Sequence, residues 1–174
     1  HILIIGAGGM IGRKLAATLA RDGVLDERKI ERMTLVDVID PPVPATAIKV
    51  DAFQADLSAP GIAEDLVSRR PDVIFHLAAI VSGEAERDFE KGYRINLDAT
   101  RALFEAVRLE GARKAYSPRL VFTSSLAVYG APLPDPIPDD YILAPLMSYG
   151  TQKAVTELLL ADYSRKGYFD GIGV

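Results

Sequence analysis

Short, nearly unbroken apolar runs alternate along this chain with longer amphipathic segments. The runs Ile2–Ile5, Met33–Val38, Ile48–Gln54, Asp72–Leu77 and Arg119–Ser124 are rich in Ile, Val, Leu and Phe. Such runs suit strands of a parallel sheet that is buried on both faces. Between them, a 3.6-residue periodicity predicts helices over Met10–Arg21, Gly61–Arg69, Glu84–Glu110 and Tyr149–Arg165. In the first helix Ile11, Leu15 and Leu19 share a face, and in the last Val155, Leu158, Leu159 and Tyr163 do so. Alternation of this kind predicts an α/β fold, with a doubly wound parallel sheet and helices on both faces.

The chain starts inside the first strand, at His1-Ile2, and closes on Gly171-Ile172-Gly173-Val174, which reads as the opening of another strand. Both ends therefore read as cuts in a longer chain, with residues 1–174 forming one domain. The rhythm breaks once. Gly130–Pro145 holds five prolines and can be neither helix nor central strand. A loop of this length inside a compact domain is usually functional or disordered.

Composition narrows the chemistry. The 174 residues contain no cysteine, which removes disulfides, thiolate metal sites and Cys nucleophiles together. A net charge of -4 with mixed signs gives no long-range attraction to nucleic acid or to an anionic membrane. The longest apolar run, Val73–Val81, is far shorter than a membrane span, and no signal peptide is visible. A soluble, cytoplasmic protein is the expectation, without nucleic-acid or membrane partners.

Gly6-Ala7-Gly8-Gly9-Met10-Ile11-Gly12 follows the first strand and opens the first helix, with glycines at positions 6, 9 and 12. Glycine there allows a tight turn, close approach of backbone to a pyrophosphate, and close helix–strand packing. The helix N-terminus supplies free N–H groups and partial positive charge. This context makes the domain Rossmann-type and dinucleotide-binding. Asp37, ending the second strand, is placed to accept from adenosine ribose hydroxyls and to repel a 2′-phosphate, which favours NAD over NADP. Asp56, followed by Leu57, either accepts from an adenine amino group or caps its turn.

Tyr149-Gly150-Thr151-Gln152-Lys153 puts Tyr149 and Lys153 on one helix face. A phenol with an ordinary pKa of about 10 is a weak base, and a nearby ammonium favours its phenolate. Thr123-Ser124-Ser125 brings hydroxyls to the end of the fifth strand. His76 also ends a strand; with no cluster of partner ligands, it reads as structural or cofactor-adjacent, and no metal site is expected.

GAGGMIG at 6–12, Asp37, HLAA at 76–79, SSLAVYG at 124–130 and YGTQK at 149–153 occur in one order across nearly the whole chain. Together they resemble the extended short-chain dehydrogenases/reductases. That resemblance implies an NAD-using Ser–Tyr–Lys mechanism, with Tyr149 as acid/base, Lys153 supporting it and Ser125 holding the substrate oxygen; Ser124 is the near alternative. It also implies cofactor contacts at Gly6, Gly9, Met10, Ile11, Gly12, Asp37, Asp56, Leu57, Leu77, Ala78, Ala79, Asn96, Tyr149 and Lys153. Asn96 matches the family asparagine that supports the lysine through water, and Ser82 borders the substrate. The stretches 78–86 and 131–140 are similar to those of family members that oxidise the C2 alcohol of a four-carbon sugar acid. A nucleotide-sugar epimerase of the same superfamily is the alternative. The family implies a small C-terminal substrate domain, absent from this sequence. It also implies a homodimer built on the helices at 84–110 and 149–165, where Leu103, Phe104 and Val107 serve either the contact or the sheet.

Overall fold

Ile or Leu at every position of Ile2–Ile5 leaves β1 no solvent face, and all four residues are buried. In the computed structural model, which describes residues 1–174, β1 is the centre of a six-stranded parallel sheet. Helix α1 (Met10–Asp22) follows it, then a two-stranded hairpin, β2 (Val24–Leu25) with β3 (Arg28–Lys29). Next come β4 (Arg32–Asp37), β5 (Lys49–Gln54), α2 (Ile62–Ser68) and β6 (Val73–His76). The chain continues through α3 (Ser82–Arg87), α4 (Phe89–Gly92), a π-helical turn at Tyr93–Asp98 and α5 (Ala99–Arg113). It ends with β7 (Arg119–Phe122), a 3₁₀ turn at Leu126–Val128, α6 (Ser148–Arg165) and β8 (Asp170–Gly173).

The sheet order is β5-β4-β1-β6-β7-β8, so the chain winds outward from β1 first in one direction and then in the other. Register alternation divides the core between the faces. Leu3, Ile5, Ile74, Leu120 and Phe122 pack beneath α2, α5 and α6. Ile2, Ile4, Met33 and Leu35 pack beneath α1. The sheet is doubly wound, as expected. No helix is long and apolar enough to cross a membrane.

Four expectations need correction. The hairpin β2–β3 was not foreseen, because its two-residue strands are too short to show a period. The helix expected over Glu84–Glu110 is broken: Asp88 leaves helical geometry (φ -124°, ψ 86°) and its side chain accepts from Lys91 N–H to start α4. Ile11 does not join Leu19 in the core; it is 55% exposed, and α1 buries Gly12, Ala16 and Leu19 instead. Leu158 is likewise exposed, and α6 buries Gln152, Lys153 and Thr156 beside Ala154 and Leu160. A helix with an apolar repeat has turned a polar face inward.

Candidate functional site

Parallel strands deliver their C-terminal ends to one edge, and the loops after β1, β4, β5, β6 and β7 meet there. That edge, at the point where the winding reverses beside β1, is where doubly wound sheets bind ligands.

The glycine loop is shaped by contacts that exclude side chains. Gly6 has φ +93°, and a Cβ on it would stand 2.7 Å from Ala78 N. A Cβ on Gly12 would stand 2.1 Å from Gly6 O, so α1 leans directly on the turn. Gly9 differs, since its Cβ would meet nothing nearer than 3.4 Å. It begins α1 without any side-chain cap, leaving the helix's first amides open. Met10 is 70% exposed beside them. An open helix N-terminus behind a cradle without side chains fits the pyrophosphate of a dinucleotide.

Asp37 is fixed at the end of β4, with Oδ2 accepting from Gly8 N–H at 2.8 Å and Oδ1 from Ile39 N–H at 3.2 Å. Gly8 escaped the sequence reading, although its Cβ would meet the Ile39 side chain at 2.7 Å; the doubled glycine was the available signal. Asp56 Oδ1 accepts from both the backbone and the hydroxyl of Ser58, which makes it a turn cap, and Arg94 lies 3.9 Å from Oδ2. Leu57 is buried beside it, and Leu77, Ala78 and Ala79 leave β6 half-buried towards Gly6. Ser82 is exposed at the start of α3.

On the other side of the edge, α6 meets the loop after β7. A Cβ on Gly150 would stand 2.1 Å from Ala127 O, so only glycine lets the helix approach the 3₁₀ turn this closely. The sequence carries no signal for this role of Gly150, because spacing does not reveal a backbone contact. Ser124 donates its hydroxyl to Glu157 on α6, whereas Ser125 Oγ accepts from Ala127 N–H at 3.2 Å. Lys153 Nζ donates to Thr123 O at 2.8 Å and lies 4.5 Å from the Phe122 ring centroid and 5.8 Å from that of Tyr149. Burial lowers the Lys153 pKa to about 8, so at neutral pH it remains a cation with few competing partners. Tyr149 is half-buried on the same face.

His76 lies under this group, fully buried. Thr100 Oγ1 donates to Asn96 O at 2.9 Å, so the 2.8 Å contact with His76 is one in which His76 Nε2–H donates. Its Nδ1 has no partner. Burial first, and the Lys153 cation second, depress its pKa to about 3. Asn96 Oδ1 accepts from Ile80 N–H at 2.9 Å, while Nδ2 donates to Ile80 O at 3.2 Å and to Gln152 Oε1 at 2.8 Å. Its side chain thus serves backbone and glutamine, within the π-helical turn.

The depressed His76 pKa carries a pH prediction. The unfolded chain takes up a proton near pH 6.5 that the native fold refuses, so stability is full above that pH and falls below it. Between pH 7 and pH 5 the full-length protein should lose about 2 kcal/mol through this group. Denaturant titration of His76→Gln, which retains a donor for Thr100, should show that part of the slope gone; an unchanged slope would place the pH sensitivity elsewhere.

Residues 2–174 match the family model described as "NAD dependent epimerase/dehydratase family". A D-erythronate dehydrogenase of Cupriavidus necator is 46% identical over 98% of the chain, which covers 52% of that protein. One from Haemophilus influenzae is 41% identical over 99% of the chain and 53% of its own length. A solved structure, described as the nucleoside-diphosphate-sugar epimerase from Agrobacterium tumefaciens, is 65% identical with a TM-score of 0.97, over 99% of this chain and 51% of that one. The chain therefore spans about half the length of the curated relatives it matches. A family match along essentially the whole sequence and a relative 46% identical across it establish that the chain belongs to the NAD-dependent epimerase/dehydratase family.

Proposed function

We propose that this domain serves an NAD-dependent oxidation of the C2 alcohol of a four-carbon sugar acid, D-erythronate to 2-dehydro-D-erythronate. The observation that carries the chemistry is the meeting, at one sheet edge, of the glycine cradle, Asp37 and the Ser125–Tyr149–Lys153 group. The similarity to two D-erythronate dehydrogenases supports the substrate. Gly6, Gly9 and Gly12 would hold the cofactor's phosphates, Asp37 its adenosine ribose, and Lys153 the second ribose. When bound, NAD supplies the hydride acceptor.

The chain's own part is proton transfer. Tyr149, as phenolate, takes the hydroxyl proton. Lys153 carries its ammonium on the same helix face, 5.8 Å from the Tyr149 ring centroid. Ser125 holds the substrate oxygen; Ser124 serves it less well, since its proton is given to Glu157. Ser82 borders the substrate. We place the enzyme in the cytoplasm as a homodimer. Leu103, Phe104 and Val107 are wholly buried over the sheet and take no part in such pairing, whereas Leu109 and Leu158 are exposed on α5 and α6.

The second reading, a nucleotide-sugar epimerase, draws on the 65% identical structure. One assay separates the two. Full-length protein is given NAD and a panel of D-erythronate, D-threonate and L-threonate, followed by NADH absorbance, with a UDP-sugar control assayed for isomerisation. Net NADH from D-erythronate is expected; silence with every acid together with isomerised UDP-sugar would transfer the site to the epimerase reading.

A further inference from the structure

Gln152 stands directly before Lys153, points inward from α6, and is 0% exposed. Its Nε2 has no hydrogen-bond partner. A buried amide nitrogen without an acceptor disfavours folding, so a leucine or methionine would serve packing better. What glutamine contributes is its other end: Oε1 accepts from Asn96 Nδ2 at 2.8 Å. Asn96 spends everything else on the backbone of Ile80, taking its N–H and giving to its carbonyl. Ile80 follows Leu77–Ala79 and comes just before Ser82, the loop that crosses the sheet edge. One side-chain chain thus runs from the helix of Tyr149 and Lys153 to the loop after β6.

The seat for Gln152 is equally specific. A Cβ on Gly92 would stand 2.7 Å from Gln152 Nε2 and 3.1 Å from Ala85 O. Gly92 lies in the middle of the broken helical segment at ordinary helical angles (φ -56°, ψ -54°), where its own backbone has no need of glycine. The space beside it is taken by the glutamine amide. Nearby, Glu86 Oε2 accepts from Ser148 N–H at 2.9 Å, a second tie between α3 and the start of α6, whose Met147 offers no side-chain cap.

We propose that Gln152 is a positioning residue: through Asn96 it fastens the helix bearing Tyr149 and Lys153 to the loop at 77–82, with Gly92 as its seat, so that loop and helix hold one relative placement. The catalytic consequence rests on the dehydrogenase reading above; the mechanical one does not.

Both parts are tested on the full-length protein with Gln152→Leu, Gln152→Ala, Gly92→Ala and the Gln152→Ala/Gly92→Ala pair. Hydrogen exchange reads the fastening without any substrate. In Gln152→Leu the Ile80 amide should exchange roughly ten-fold faster while the β1 amides keep their protection. In Gly92→Ala the same local rise is expected, and in the double variant Gly92→Ala should add less to Gln152→Ala than it costs alone, because the 2.7 Å contact with the amide is gone and only the looser contacts with Ala85, at 3.1 and 3.2 Å, remain. In the NADH assay kcat should drop roughly ten- to hundred-fold in Gln152→Leu, with KM for NAD within about two-fold, as misplacement of a competent group predicts. Unchanged Ile80 exchange, or additive effects of the two substitutions, would overturn the proposal. If the wild-type enzyme ignores every sugar acid, the dehydrogenase reading fails and the exchange data still decide the fastening.

Discussion

Replacement of Tyr149 by Phe is expected to reduce turnover of the sugar acid by about 10³-fold or more, while NAD affinity stays within about two-fold. The change deletes one oxygen from a half-buried side chain, and the ring keeps its place near Lys153, 5.8 Å from Nζ. What disappears is the phenolic oxygen that this reading assigns to take the hydroxyl proton as hydride leaves the carbon. Lys153 cannot stand in, because its ammonium is held by Thr123 O and is protonated below about pH 8. Lys153→Met should show the complementary pattern. Turnover falls, and NAD binding weakens if the lysine also holds the ribose. Calorimetric titration with NAD beside steady-state kinetics separates these effects. Tyr149→Phe retaining a tenth of wild-type turnover would remove Tyr149 from the acid/base role.

Much of this arrangement is legible in the sequence. Strands buried on both faces announce themselves as apolar runs, and the starts and ends of β1, β4, β6 and β7 fall within two residues of expectation. The glycine turn and the Tyr–Lys spacing are local patterns with local causes. The missed features are those whose cause lies far away in sequence. Gly150 is required by Ala127 O, and the buried polar face of α6 finds partners on two other segments, Asn96 and Thr123, while Gly92 leaves room for the Gln152 amide. Periodicity assigned Leu158 to the core because leucine usually goes there, and nothing near it in sequence says otherwise. The break at Asp88 is readable as a cap in hindsight, yet a lone Asp within a helical pattern does not compel one.

The glycine motif presents three equally spaced positions, but the structure makes them unequal, which yields the second large effect. Gly12→Ala should abolish NAD binding and destabilise the domain by about 3 kcal/mol, at the upper end for an overpacked site. The new Cβ meets backbone, Gly6 O at 2.1 Å and Ala7 Cα at 2.7 Å, and backbone cannot rotate aside as a side chain would. Either α1 lifts from the turn, loosening Ala16 and Leu19 from the core, or the turn shifts and carries Gly6 away from Ala78. Both spoil the alignment of helix N-terminus and phosphate. Gly9→Ala is the control. Its Cβ finds 3.4 Å of clearance and its φ of -73° suits any residue, so stability should change by about 1 kcal/mol at most, the usual cost of alanine at a helix start. NAD affinity should nevertheless fall, because a methyl group then faces the open amides. Melting curves with and without NAD resolve the pair: Gly12→Ala melts early and gains nothing from cofactor, while Gly9→Ala melts near wild type and gains less. Equal destabilisation by the two would mean that spacing alone, and not the contact with Gly6 O, governs this turn.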